Sequence, residues 1–233
     1  MKISAVNKFS LIDYPWEICC IVFTIGCNFR CPFCHNSDFV LPEKIKKIQN
    51  DLIPEQAFFN FLEKRKKFLS WVSICWWEPT IHNDLPDFCR KIKEMWFLVK
   101  LDTNGRSPEM LKKLLDEKLV DYIAMDIKNE IWKFSKVAWI KVDEKPYLES
   151  IEIIMNSSIN YEFRTTVIKW IHSKKNIENI VKYIKWAKNY YLQNYKWWDT
   201  LDKNFIWKSF SNKELEEFEK IAKRYIINVW IRN

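Results

Sequence analysis

Two glycines, Gly26 and Gly105, are all that this 233-residue chain offers for backbone conformations that side chains resist. Glycine ends helices in the left-handed region and lets strands turn sharply. A globular chain of this length ordinarily carries about 16 of them. The deficit is matched by thirteen tryptophans, many of which fall where glycine is expected. Trp96 follows the helical run Asp84–Met95 and precedes the strand-like run Phe97–Leu101, where a left-handed residue usually closes a helix. Trp16 follows Pro15 in a turn setting. The adjacent pairs Trp76-Trp77 and Trp197-Trp198 are awkward as bulky neighbours and ordinary as Gly-Gly. We expect that the codon UGA, decoded as glycine by the source, is written here as tryptophan. Bacterial lineages using each assignment exist. These rings therefore need no nucleic-acid stacking role, which a basic chain rich in aromatics would otherwise suggest.

At 48% hydrophobic residues the chain can bury a full core. Its net charge of +8 points to an anionic partner, but the basic residues are dispersed in small groups such as Lys64–Lys67 and Lys174-Lys175, which read as solvated helix faces. No apolar run reaches the ~18 residues of a membrane span, and the N-terminus lacks a signal-peptide core. Seven cysteines, an odd number, fit a reducing cytoplasm.

Strand-like runs alternate with amphipathic helices, the pattern of βα units around a parallel sheet. Expected strands are Ile18–Thr24, Val72–Cys75, Phe97–Leu101, Tyr122–Asp126, Tyr161–Ile168 and Tyr190–Asn194. Expected helices are Pro54–Leu69, Leu85–Met95, Pro108–Leu119, Pro146–Asn156 and Ile177–Asn189. Asp84 and Ser107 read as N-caps, and Ser211 with Glu214 as a capping box opening a last helix. Six such units make an open barrel or a wound sheet, with functional groups at the C-terminal ends of the strands. A core domain is expected over 1–210 and a helical extension packed on it over 211–233.

Directly after the first expected strand comes Gly26-Cys27-Asn-Phe-Arg-Cys31-Pro-Phe-Cys34-His35-Asn36, a C-x3-C-x2-C spacing on a loop where an active site belongs. Three thiolates this close suit one soft metal centre. Three ligands to a four-iron cluster would leave one iron open to substrate or cofactor. Zinc held by these cysteines and His35 is the competing reading; adjacent Cys34 and His35 are poorly placed to chelate one tetrahedral ion. Cys19, Cys20, Cys75 and Cys89 are expected to be buried small hydrophobes.

The loop resembles the signature of radical S-adenosylmethionine (SAM) enzymes. Its surroundings resemble the anaerobic ribonucleoside-triphosphate reductase activating proteins, relatives of the pyruvate formate-lyase activating enzymes. The resemblance rests on Ser10-Leu-Ile-Asp-Tyr-Pro15, Val22 through Asn36, Glu78-Pro-Thr80, Leu98 through Gly105, Val120 through Lys128 and Tyr161 through Val167, and it covers roughly residues 5–205. It implies a partial (β/α)6 TIM-like barrel of the radical SAM type. Where the family has Gly-Gly-Glu-Pro, this chain has Trp76-Trp77-Glu78-Pro79; two indoles there are expected to fill the cofactor site.

The resemblance further implies that Cys27, Cys31 and Cys34 hold a [4Fe-4S] cluster whose open iron binds SAM. One-electron reduction then yields a 5′-deoxyadenosyl radical that takes hydrogen from a glycine of the partner. Phe33, Trp76, Trp77, Glu78, Asp102, Asn104, Asp126, Lys128 and Arg164 are the expected SAM-contacting residues, and Phe29 with Phe33 is expected to shield the cluster. Asp102 and Asn104 could instead shape a turn, and Arg164 could instead pair with scaffold carboxylates. No side chain is expected to act as a catalytic acid or base, the cofactors carrying the chemistry. The implied partners are anaerobic ribonucleotide reductase and an electron donor such as flavodoxin or ferredoxin. Alternatives are another glycyl radical enzyme as target, or radical chemistry on a small molecule or tRNA base. A non-catalytic metal or electron-transfer module is a further class, which the long αβ scaffold disfavours. No membrane or nucleic-acid partner is expected.

Overall fold

A computed structural model describes residues 1–14, 17–35, 37–75, 77–141, 143–196, 200–204 and 208–233. Eight strands form one sheet in chain order: β1 (Ile3–Ser10), β2 (Cys19–Thr24), β3 (Trp71–Cys75), β4 (Leu98–Thr103), β5 (Tyr122–Asp126), β6 (Asn160–Val167), β7 (Asn189–Asn194) and β8 (Asn228–Arg232). The first pair is antiparallel and every later pair parallel. A doubly wound sheet reverses its strand order at a switch point. This one never does, so successive crossovers of one hand put the helices on one face and leave the other as the inner face of a partial barrel. β1 and β8 are the ends of the order and do not pair, so the barrel is not closed.

The helices are α1 (Pro42–Lys47), α2 (Glu55–Arg65), α3 (Leu85–Glu94), α4 (Pro108–Asp116), α5 (Phe134–Ala138), α6 (Glu144–Met155), α7 (Lys174–Tyr183) and α8 (Asn212–Ala222). Their buried residues, such as Phe58, Phe88, Leu111, Ile151, Ile180 and Phe218, join outward strand residues such as Val22, Ile74, Leu101, Ile123, Phe163 and Tyr190 in one core cluster. The inner face carries a smaller cluster, Cys19, Trp71, Tyr122 and Ala124. Tyr14 packs on it, its ring stacked on Trp71 at 3.8 Å between centroids.

All six expected strands are present, and two more flank them. β1 lies on the sheet edge with mostly exposed or half-buried side chains, which blurs the alternation that marks a strand. The stretch expected as a helical extension is corrected: after α8 the chain returns as β8, paired in parallel with β7. Five residues alternating around Val229 give little periodicity, and the neighbouring strand supplies the bonds that fix them. Ser211 and Glu214 form the expected capping box. Asp84 and Ser107 stand at N-cap positions without a side-chain cap; Asp84 instead lies 2.5 Å from the N-terminal ammonium of Met1. Among the described residues no helix is long and apolar enough to cross a membrane.

Candidate functional site

The strand ends on the Cys-loop side open into a cavity of about 740 Å3, within the range of small-molecule sites. One wall is the loop after β2. Gly26 starts it at φ 86°, its N–H donating to the Phe39 carbonyl at 2.9 Å and its own carbonyl accepting from Glu78 N–H at 3.1 Å. His82 reaches back to the Ile25 carbonyl at 2.8 Å. Arg30 folds over the loop, donating from Nη1 to the carbonyls of Cys27 at 2.6 Å and Phe29 at 2.7 Å. Distant segments staple it in place: Leu201 N–H donates to Cys34 O and Asp202 N–H to Pro32 O, both at 2.9 Å, and Arg30 N–H donates to Ala138 O at 2.8 Å.

Cys27, Cys31 and Cys34 all line the cavity, with Phe29 and Phe33 beside them. Burial pushes the Cys27 thiol up to about 12, with Glu78 and the other two thiols adding to the effect. Burial likewise pushes Cys31 up to about 12, opposed by the Lys128 ammonium. A bound cation would have to displace those protons, which ties loading to pH. Among the described residues no three His, Cys, Asp or Glu side chains converge on a point suited to a single ion. A cluster that spreads its thiolates over separate irons makes no such demand.

Opposite the loop, the ends of β4, β5 and β6 supply a compact charge network. Arg164 donates from Nε to Asp126 at 2.8 Å and from Nη1 to Asp102 at 2.9 Å. Lys128 donates to Asp126 at 2.7 Å, and Lys100 Nζ lies 2.9 Å from Asp102. Burial works against the charge on both aspartates, yet Arg164 with Lys128 holds Asp126, and Arg164 with Lys100 holds Asp102, below the usual carboxylate range. Arg164 thus pairs with scaffold carboxylates, and all four of Asp102, Asp126, Lys128 and Arg164 also line the cavity. Groups of both signs face the space beside the thiols, a surface that suits a zwitterionic amino acid head. These residues fit a thiolate-bound cluster with an amino acid-bearing cofactor beside it.

Asn104 lines the same space and donates from Nδ2 to Asn28 Oδ1 at 2.7 Å, tying β4 to the Cys loop. Gly105 follows at φ 78°, above Met125. Glu78 is placed differently from its expectation. Fully buried behind the wall, its carboxylate accepts from Thr80 Oγ1 at 2.5 Å, Thr80 N–H at 3.3 Å, Thr103 Oγ1 at 2.7 Å and Asn104 N–H at 2.5 Å. It positions loops rather than facing the cavity. Trp77 lines the cavity with its ring 4.7 Å from Phe39, and the space is not filled by it; Trp76 lies outside the described residues.

Sequence reasoning passed over Thr166, Gln193, Asn194 and Lys196, which line the cavity at the ends of β6 and β7. The rule that sites gather at strand ends was the available signal. Asp13, from the β1–β2 connection, also reaches the cavity. Cys75, expected to be only a packing residue, is buried yet lines it. His35 stacks on Tyr195 at 5.4 Å.

Residues 21–218 match the model of the radical SAM superfamily. A Methanocaldococcus jannaschii protein named, provisionally, as a glycyl-radical enzyme activating enzyme is 33% identical over 240 residues, spanning 99% of this chain and 95% of that protein. A second so named from the same organism is 28% identical, over 89% of this chain and 78% of its own length. Among solved structures, Streptococcus suis SuiB bound to S-adenosylmethionine superposes with a TM-score of 0.64 at 16% identity, over 90% of this chain and 48% of that chain. Archaeal TYW1 superposes at 0.53 with 15% identity, over 89% and 72%. The chain spans about half the length of SuiB, and at these identities the two structures speak for the fold alone.

Proposed function

The chain belongs to the radical SAM superfamily, and on that premise we propose that it activates a glycyl radical enzyme, the anaerobic ribonucleoside-triphosphate reductase. The family uses a [4Fe-4S] cluster and SAM. The carrying observation is the relatedness to a protein provisionally named as an activating enzyme, over 99% of this chain and 95% of that relative, joined to three thiols of a C-x3-C-x2-C loop lining one cavity. The residue series from Ser10 to Val167 quoted above favours the reductase over other glycyl radical targets.

In this reading Cys27, Cys31 and Cys34 hold the cluster, and Asp102, Asn104, Asp126, Lys128 and Arg164 hold SAM. When bound, the two cofactors supply one-electron reductive cleavage of SAM and hydrogen abstraction from a glycine of the partner. The chain's own residues orient and enclose. Arg164 keeps two carboxylates ionised on one side of the cavity, and Lys128 sets a cation toward Cys31 that eases loss of its proton. Phe29 and Phe33 exclude water from the thiols, while Asn104 and Arg30 fix the loop. An acidic one-electron donor such as flavodoxin or ferredoxin would act on this cationic chain in the cytoplasm.

Anaerobic reconstitution tests the proposal. About four irons per chain are expected, with reductive SAM cleavage that Cys31→Ala abolishes. Mixing with the reductase should raise a glycyl radical signal by electron paramagnetic resonance. Zinc uptake without SAM cleavage overturns the enzymatic reading. A radical on a pyruvate formate-lyase type enzyme but not on the reductase overturns the choice of partner.

A further inference from the structure

Six non-glycine residues have a left-handed backbone among the described residues, and five are tryptophan: Trp77 (φ 57°), Trp96 (φ 71°), Trp139 (φ 49°), Trp170 (φ 71°) and Trp186 (φ 71°). The sixth is Lys118 (φ 54°). The two glycines, at 86° and 78°, complete the left-handed set. Sterics between Cβ and the backbone make this region unfavourable for L-residues, and a bulky residue there is an outlier. Asparagine and aspartate tolerate it best after glycine, and none of this chain's many copies of either takes one of the six positions.

Each site is one that glycine serves. Trp96 ends α3 in a Schellman arrangement, its N–H donating to Lys93 O at 2.9 Å while Phe97 N–H donates to Ile92 O at 3.4 Å. Trp139 is the C-cap of α5. Trp186 follows α7 and donates its N–H to Tyr225 O at 2.9 Å, and Trp170 stands in the turn after β6. Nor does burial of the indoles offset the strain. Trp96 is 91% exposed, Trp186 67% and Trp170 65%, and lysines over the last two rings give only weak exposed contacts.

We infer that positions 77, 96, 139, 170 and 186 are glycine in the natural protein, specified by UGA codons that its source decodes as glycine. The inference rests on backbone stereochemistry and does not depend on the proposed function. It divides the tryptophans. Trp71 stacks on Tyr14, Trp132 donates from Nε1 to Glu130 at 3.0 Å, and Trp230 sits in β8, all with ordinary backbone; the backbone argument does not extend to these three. It also reaches the site, since glycine at 77 removes a ring from the cavity wall and lets a ligand approach bare backbone.

Two measurements decide it. UGA at these five codons, with glycine masses in the corresponding peptides of the protein isolated from its source, is the expected result; UGG codons or tryptophan masses overturn it. On recombinant protein, the five-site Trp→Gly variant should melt on the order of 10 °C above the literal chain. Trp96→Gly alone, in the most exposed site, keeps the test open if the combined variant misfolds, and Lys118→Gly calibrates the gain at an ordinary left-handed residue. A melting temperature at or below that of the literal chain for Trp96→Gly, with a gain for Lys118→Gly, overturns it.

Discussion

Glu78 accepts the backbone N–H of Asn104 at 2.5 Å, joining the loops after β3 and β4 across 26 positions of chain. The same carboxylate holds Thr80 and Thr103, so one buried acid fixes the segment that carries Asn104 to the Cys loop. Glu78→Ala leaves these donors buried and unsatisfied, and should cost roughly 3 kcal/mol or more of stability. Urea denaturation of the apo protein measures it. A loss under about 1 kcal/mol would mean that the clamp is not structural.

Arg164→Ala should cost about 3–5 kcal/mol near pH 7, because it leaves Asp102 and Asp126 buried without their shared cation. Both carboxyls are depressed in the fold below an ordinary value of 3.8. Their stabilisation is therefore complete above that value and lost as pH falls through the lower folded ones. The difference between wild type and variant should accordingly narrow below about pH 4. Urea midpoints from pH 7 to pH 3 check this; a gap that stays constant would refute the assignment.

His172 adds a second loss of stability on acidification, in a higher pH window, beside the same site. Ile168 N–H donates to its Nδ1 at 3.1 Å, so Nε2 carries the proton toward the Lys128 carbonyl at 2.9 Å. Burial pushes this imidazole down to about 4 from 6.5, despite the bond from Nε2 to the Lys128 carbonyl. A depressed base gives stability that is full above the unfolded value and lost as pH falls from 6.5 to about 4. The loss should be on the order of 3 kcal/mol. Replacement by Gln should flatten the stability profile in that window, and an unchanged slope would contradict it.

Gly105→Ala should be severe. A Cβ there would lie 2.0 Å from Met125 Cε, at a φ of 78°. Strain and overpacking together predict a loss of roughly 2–4 kcal/mol. Shortening Met125 to Ala in the same chain should recover the overpacking part and leave the backbone part. A double-mutant cycle by thermal melting reads the coupling; none would place the damage elsewhere.

The cysteine spacing was legible because C-x3-C-x2-C is local: all three thiols ride one loop, and the strand before it fixed which end of the sheet they occupy. The six central strands were legible for the same reason, each a short apolar run between helical repeats. β8 was not, since a five-residue strand at the end of the chain is defined by the β7 edge it joins. Glu78 read as a cofactor contact because of the motif in which it stands; only packing revealed four donors converging on it from two loops. Arg164 was open between cofactor and scaffold until the register set it beside Asp126 and within reach of Asp102, two strands away.

By itself, then, the sequence determined the order of the six central strands, the spacing of the cysteine loop and the glycine deficit, because periodicity, spacing and composition are carried by near neighbours. The tertiary structure decided which carboxylates share Arg164, which strand ends face the thiols, and which tryptophans occupy left-handed backbone. Those depend on contacts between residues tens of positions apart and on dihedral angles that no residue type specifies alone.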